Sequence, residues 1–211
     1  MSRTVKPTAL FLDIGGVLLS NGWDHNMRAR AAAHFELDLE EMNERHHLTY
    51  DTYEEGKLSL DSYLDRIVFY RPRPFDKSAF KAFIQQQASS HDETIDFFLE
   101  MKRQHNLTVA AVSNEGRELM EDRITRFDLH RLVDFFIGSC YVHIRKPDVD
   151  VYRLALDVAQ LPARDVIYVD DRAMFVEVAE DLGLRGIVHE SVGQTHQALA
   201  QFGLTLDPDQ G

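Results

Sequence analysis

The chain has 211 residues, 44% of them hydrophobic and 27% charged, which is enough for one substantial core and a smaller appended module. A formal net charge of -12 would repel a polyanion over most of the surface, so nucleic acid is not expected as a partner, and any phosphate must meet locally concentrated positive charge. The single cysteine, Cys140, excludes an intramolecular disulfide framework and a thiolate zinc cluster and fits a reducing, cytoplasmic setting.

The first apolar run, Ala9 to Leu12, stops at Asp13 and reads as a short buried strand. Neither it nor any later stretch approaches the roughly 20 apolar residues that a spanning helix needs, so no signal peptide, anchor or membrane partner is expected. The long stretch that follows has no convincing strand. Its patterns, such as Leu58 to Phe69 and Phe75 to Ile84, are those of amphipathic helices. Breaks around Gly22, around Gly56, at Arg71 to Pro74 and at Ser89 to Asp92 divide it into a compact module of about four helices. The expected division is a core of residues 1–20 and 91–211 with a helical insert at 21–90.

Further short apolar runs lie at Leu107 to Val112, Phe135 to Ile137, Val166 to Val169 and Arg185 to Val188. Most are followed by helix-like periodicity, and that alternation predicts an α/β fold: a parallel sheet covered by helices on both faces, with right-handed connections. Ligands of such sheets bind outside the carboxyl ends of the strands. The polar residues at those ends are Asp13, Ser113 with Asn114, Lys146, and Asp170 with Asp171.

Taken singly, each has an ordinary explanation, because aspartate and serine at strand ends are common helix caps and turn formers. As an ordered set they are a reactive combination. A carboxylate can attack phosphorus to form an aspartyl-phosphate, and a second carboxylate across from it can hold Mg²⁺, which prefers oxygen ligands. Lys146 would neutralise Asp13 and the phosphoryl group, while the Ser113 hydroxyl and the amides near Asn114 would donate to the equatorial oxygens.

The segments LFLDIGGVLLSNGWD, VAAVSNEGREL, RKPDVDVYRLAL and VIYVDDRAMFVEVAEDLGL resemble the four ordered motifs of the haloacid dehalogenase (HAD) superfamily, over nearly the whole chain from about Thr8 to His189. The insert between the first two motifs resembles that superfamily's C1 helical cap, near the sugar-phosphate phosphatases and the phosphatase domain of soluble epoxide hydrolases. The resemblance implies a Rossmann-like three-layer core with a helical cap inserted after the first strand. It implies Asp13 as nucleophile, Ser113, Asn114 and Lys146 as phosphate and charge clamps, and Mg²⁺ at Asp13, Asp171 and the backbone carbonyl of Gly15, with Asp170 in the metal's outer shell.

The phosphatase pattern usually carries a second Asp, as general acid and base, where this chain has Gly15. Such assistance is worth about 10²- to 10⁴-fold in rate. A cap residue or water could deliver the proton instead, and His25, His46 and His47 are the candidates by titration range, although histidines on cap helices are more often surface or core-edge residues. The dehalogenase branch also lacks that Asp, since a halide leaves without a proton. It needs no magnesium, however, and Asp170 and Asp171 would raise the pKa of Asp13 and repel an anionic substrate. A domain that binds a phosphorylated ligand or a protein partner with attenuated catalysis is the remaining alternative. His143 stands where relatives often have glycine, and no role follows from that.

Over the site, Trp23 could stack on a sugar or pack within the cap, and Arg45, beside His46, could bind a second anionic group. The expected activity is Mg²⁺-dependent hydrolysis of a small phosphorylated metabolite, with sugar phosphates among the expected substrates. The oligomeric state is left open.

Overall fold

The computed structural model describes residues 6–207; the outermost ends of the expected core span, 1–5 and 208–211, lie outside the described residues. Five parallel strands, β1 (Ala9–Leu12), β2 (Thr108–Ser113), β3 (Phe135–Gly138), β4 (Val166–Asp170) and β5 (Arg185–Val188), form one sheet in the order β3-β2-β1-β4-β5. All five expected strands are present within a residue or so of their predicted bounds. The three inner strands β2, β1 and β4 are buried almost throughout, which is why they read as near-continuous apolar runs, while the edge strands β3 and β5 are only partly buried.

Helices α1 (His25–His34), α2 (Leu39–His47), α3 (Tyr50–Glu54), α4 (Leu60–Ile67) and α5 (Lys77–Gln87) fill the insertion after β1. Helix α6 (Asp92–His105) then leads into β2, α7 (Arg117–Arg126) and α8 (Ser139–Val142) flank β3, and α9 (Val149–Ala159), α10 (Ala173–Asp181) and α11 (Val192–Gln201) complete the core. The insertion therefore has five helices where about four were expected, with further breaks at Phe35 to Asp38 and Leu48 to Thr49. Asp24, Asp38, Ser59 and Asp76 cap α1, α2, α4 and α5 by accepting from a backbone N–H of the first turn, the ordinary start signal of a helix. The five-residue α3 has no such side-chain cap.

Alternation along β1 makes two core layers, as the two-residue period of a strand requires. Leu10 and Leu12 face a cluster with Phe98, Met101, Met120 and Leu199, and Ala9 and Phe11 face one with Tyr152, Ala155, Val176 and Ala179. The inserted helices bury a cluster of their own around Trp23, Tyr53, Tyr63 and Phe80, which also takes Leu119 from α7. Among the described residues no helix is long and apolar enough to cross a membrane.

The insertion is seated on the core through α3 and the turn after it. Gly56, with φ of +68°, lies where a Cβ would sit 2.2 Å from the carbonyl oxygen of Cys140. Gly116 leaves the space that the Tyr53 ring occupies. His143 is itself left-handed, φ of 60°, and its Nδ1 lies 2.6 Å from the Glu55 carbonyl oxygen, so it links the loop before Lys146 to the inserted helices.

Candidate active site

Strand register converges the predicted side chains. Leu12 pairs with both Ala111 and Val169, and the Asp13 amide donates to the Val169 carbonyl at 2.9 Å. Asp13, Ser113 and Asp170 therefore leave their strands at one edge of the sheet, on the two sides of β1, where the strand order reverses. Lys146 enters from the loop after α8. Asn114 holds that loop in both directions: its Nδ2 donates to the Lys146 carbonyl at 2.9 Å and its Oδ1 accepts from the Lys146 amide at 2.8 Å. The Asn114 side chain is thus spent on the lysine loop.

The Lys146 ammonium is 1% exposed and lies 3.0 Å from Asp13 Oδ1 and 2.7 Å from Asp170 Oδ2. Burial alone would push its pKa down, but the two carboxylates outweigh burial and hold it above the ordinary lysine value. The Asp170 carboxylate has little capacity left. Its Oδ2 also accepts from the Tyr168 hydroxyl and its Oδ1 from the Arg172 amide. Asp13 Oδ1 accepts from the Ile14 amide at 2.8 Å, and the Ser113 hydroxyl hydrogen-bonds to the same carboxylate.

Carboxylate oxygens of Asp13, Asp170 and Asp171 all lie within 4.8 Å of one another. Two observations fit a divalent cation here. Asp171 Oδ1 is buried with no hydrogen-bond partner. Burial and the neighbouring Asp170 both raise the Asp171 pKa, and burial raises that of Asp13 against the pull of Lys146. Two such carboxyls gain most from a cation, which reverses the local electrostatics. All-oxygen donors are those that hard cations such as Mg²⁺ prefer.

Gly16 makes room for this grouping. Its φ is +76°, and a Cβ there would lie 2.3 Å from Asp171 Oδ2. Gly16→Ala must therefore displace Asp171 and strain the turn. We expect it to weaken divalent-cation binding about 10- to 100-fold, the usual effect of disturbing a ligand's support, with calorimetric Mg²⁺ titration as the check.

A cleft of about 350 Å³ opens over Asp13, Gly15, Ser113, Asn114 and Lys146 and is also lined by Trp23, His25, His46 and His47. Asp171 faces an adjoining cleft with Gly16 and Asn21, and Asp170 is fully buried. Trp23 is 2% exposed, edge-on to Phe80, and donates through Nε1 to the Tyr63 hydroxyl, so most of its indole packs within the inserted helices. The Tyr63 hydroxyl is in turn 2.7 Å from His46 Nδ1. Arg45 turns away from this cleft: its guanidinium lies 3.5 Å over the Tyr70 ring and pairs with Glu41, since one residue along a helix swings a side chain by about 100°.

Glu54, Glu115, Arg123 and Arg145, which also line the cleft, carried no signal in the sequence. Glu115 and Arg123 form a buried pair, 3% and 5% exposed, and burial raises the Glu115 pKa despite Arg123. Arg145 pairs with Asp51 and, at 2.6 Å, with Glu54. Only burial distinguishes them, and a glutamate or arginine in an isolated sequence reads as solvated.

The haloacid dehalogenase-like hydrolase family matches residues 73–188. Among curated proteins, the chain is 26% identical to a drimenol cyclase of Aspergillus calidoustus over 198 residues, 92% of this chain and 36% of that protein. It is 36% identical to bifunctional epoxide hydrolase 2 of Sus scrofa over 69 residues, 33% of this chain and 12% of that protein. The chain thus spans 36% or less of the length of these curated relatives. Among solved structures it resembles a HAD family enzyme of Bacteroides thetaiotaomicron, with a TM-score of 0.77, 17% identity, and 89% of this chain and 96% of that one covered. The same enzyme in complex with magnesium and inorganic phosphate gives 0.74 at 16% identity, covering 88% and 96%. An L-2-haloacid dehalogenase gives 0.61 at 19% identity, covering 85% and 83%. At such identities the structural likeness is one of fold.

Proposed function

Because the chain belongs to the haloacid dehalogenase-like hydrolase family, we propose that it is a Mg²⁺-dependent phosphatase that hydrolyses a small phosphate monoester through an aspartyl-phosphate on Asp13. The observation that carries this reading is the buried Lys146 between Asp13 and Asp170, beside an Asp171 oxygen that lacks a partner. Asp13 and Asp171, with the Gly15 carbonyl, would hold Mg²⁺, and Asp170, already engaged by Lys146, Tyr168 and the Arg172 amide, would support from outside. The metal would supply positive charge to the phosphoryl oxygens.

This chain's residues do the rest. Lys146 lies close enough to Asp13 to hold its carboxylate in place and to offset the incoming phosphate's charge. The Ser113 hydroxyl and the Asn114 amide serve as donors to the equatorial oxygens. The inserted helices, residues 21–90 in this reading, form a C1-type cap whose closure keeps bulk water from the acyl phosphate. The rest of the chain is the core. We place the protein in the branch of sugar-phosphate phosphatases and epoxide hydrolase phosphatase domains, working on a phosphorylated metabolite in a reducing, cytoplasmic setting. The buried, free Cys140 suits that setting.

Gly15 favours one other chemistry, hydrolysis of a 2-haloacid, where no proton is needed for the leaving group. The three clustered carboxylates weigh against it, because Lys146 offsets only one of their charges and, without a metal, an anionic substrate would meet the rest. The test is turnover of a panel of phosphate monoesters with Mg²⁺ and then with chelator. We expect phosphate release that chelator abolishes and Mg²⁺ restores. Halide release from 2-haloacids without metal would replace this reading with the dehalogenase one. Silence with both substrate classes, while a phosphorylated ligand still binds, would replace it with a binding module.

A further inference from the structure

With Gly15 in place of an acid, the proposed reaction lacks a proton carrier, and the cleft's histidines do not supply one. His46 is tied to the Tyr63 hydroxyl through Nδ1, and burial pushes its pKa down to about 3, so it stays neutral where the enzyme would work. His25 and His47 are exposed at the cleft's outer wall.

Two glutamates reach the same cleft, one from each side. Glu115, from the core two residues after Ser113, is bound to Arg123 through Oε2 while its Oε1 has no hydrogen-bond partner, and it stands on the nucleophile's side of the cleft. Glu54, the last residue of α3, is 6% exposed and lines the cleft with Asp13 and Gly15. It comes from the inserted helices that roof the site, where a substrate's leaving group would lie.

Its position is held from the core. The Ser139 hydroxyl donates to the Glu54 carbonyl at 2.7 Å and accepts from the Glu115 amide at 3.1 Å. The Glu54 carboxylate meets Arg145 at 2.6 Å, and the next residue, Lys146, meets Asp13 at 3.0 Å. One loop thus indexes the glutamate and the predicted nucleophile to each other.

We propose that Glu54 is the proton carrier that Gly15 cannot be, a role that rests on the phosphatase reading above. In the first step Asp13 bonds to phosphorus, the bond from phosphorus to the substrate oxygen breaks, and that oxygen leaves as an alcohol with the Glu54 proton. In the second, a water molecule gives its proton to the Glu54 carboxylate as its oxygen bonds to phosphorus. The bond to Asp13 then breaks, phosphate departs and both carboxyl groups return to their starting states.

The titration of Glu54 suits both steps. Burial pushes its pKa up to about 7, opposed by Arg145 and helped by Glu115 and Asp51, while Arg172 pulls weakly downward. Tyr50 and Tyr63, the phenols that face it, are held neutral by burial. A carrier poised near the working pH is the most effective kind.

The experiment compares wild type, Glu54→Gln and Arg145→Gln, with Mg²⁺, on glycerol 2-phosphate and on para-nitrophenyl phosphate. An acidic leaving group departs without a proton, whereas water attack still needs the base. Glu54→Gln should therefore lower kcat on the glycerol ester about 10²- to 10⁴-fold and erase the fall in kcat/KM above about pH 7. With the aryl ester it should release about one nitrophenolate per protein rapidly and then turn over slowly. Arg145→Gln should keep a pH limb, displaced upward because the opposing cation is gone. As a readout independent of activity, wild type should gain thermal stability over Glu54→Gln as pH falls from 7 to 5. The folded carboxyl binds a proton there and the unfolded one does not, and the advantage is lost as pH rises through about 7.

Wild-type rates and an unchanged pH limb in Glu54→Gln would overturn the proposal while leaving the phosphatase reading intact. Equal losses in both variants, with the limb retained in Glu54→Gln, would overturn it in favour of a cap latch. Wild type without Mg²⁺-dependent turnover or a nitrophenolate burst would overturn the phosphatase reading, and this role with it.

Discussion

Asp13→Asn should lower turnover about 10⁴- to 10⁶-fold, the scale seen when a nucleophile is removed, and should leave the protein folded. The amide keeps the size of the carboxyl, and its oxygen can still accept from Ile14 and Lys146, which now lie 2.8 and 3.0 Å from Oδ1. Lys146 retains its contact with Asp170. One ammonium between two buried carboxylates leaves a surplus negative charge, and burial raises the Asp13 pKa even against Lys146. Losing that charge should cost little stability or add some. Single-turnover assays and thermal denaturation of the metal-free protein are the two measurements. Rates equal to wild type would remove Asp13 from the chemistry, and a collapsed fold would mean that its charge is structural.

Lys146→Met should be the most destabilising change at the site, by about 3–5 kcal/mol at pH 7, the scale for breaking a buried ion pair from one side. Methionine has about the same length and leaves no large cavity, so the loss would be electrostatic. Asp13 and the fully buried Asp170 would then face each other with no cation between them. The folded pKa of Asp13, already raised by burial, would rise further without the ammonium, so its protonation would favour the folded state, and the deficit should shrink as pH falls from 7 toward 5. Urea denaturation at both values measures this. A deficit independent of pH would assign the loss to packing instead. Pairing the change with Asp170→Asn should recover part of the stability, because the two sites share one network.

The strands were legible because a buried parallel strand is a run of apolar residues with a polar stop, and the stops at Asp13, Ser113 and Asp170 are where the predicted chemistry lies. Four of the five inserted helices begin at Asp or Ser caps. The fifth, α3, has five residues and no capping bond, too short for a 3.6-residue period to show. The break after α1 was equally hidden, since Glu36 takes φ of 53° without the glycine that would have marked it.

Local patterns along the chain determined the sheet, the helical insertion and the order of Asp13, Ser113, Lys146 and Asp171, because these depend on neighbours within one strand or one turn. Only the tertiary structure decided that Asn114 is spent on the Lys146 loop, that Arg45 turns to Tyr70, and that Glu54 is buried against Arg145. A charged side chain's depth and partner depend on which distant elements meet across it. The cost of removing that charge from water is set by that meeting, and nothing in the adjacent residues records it.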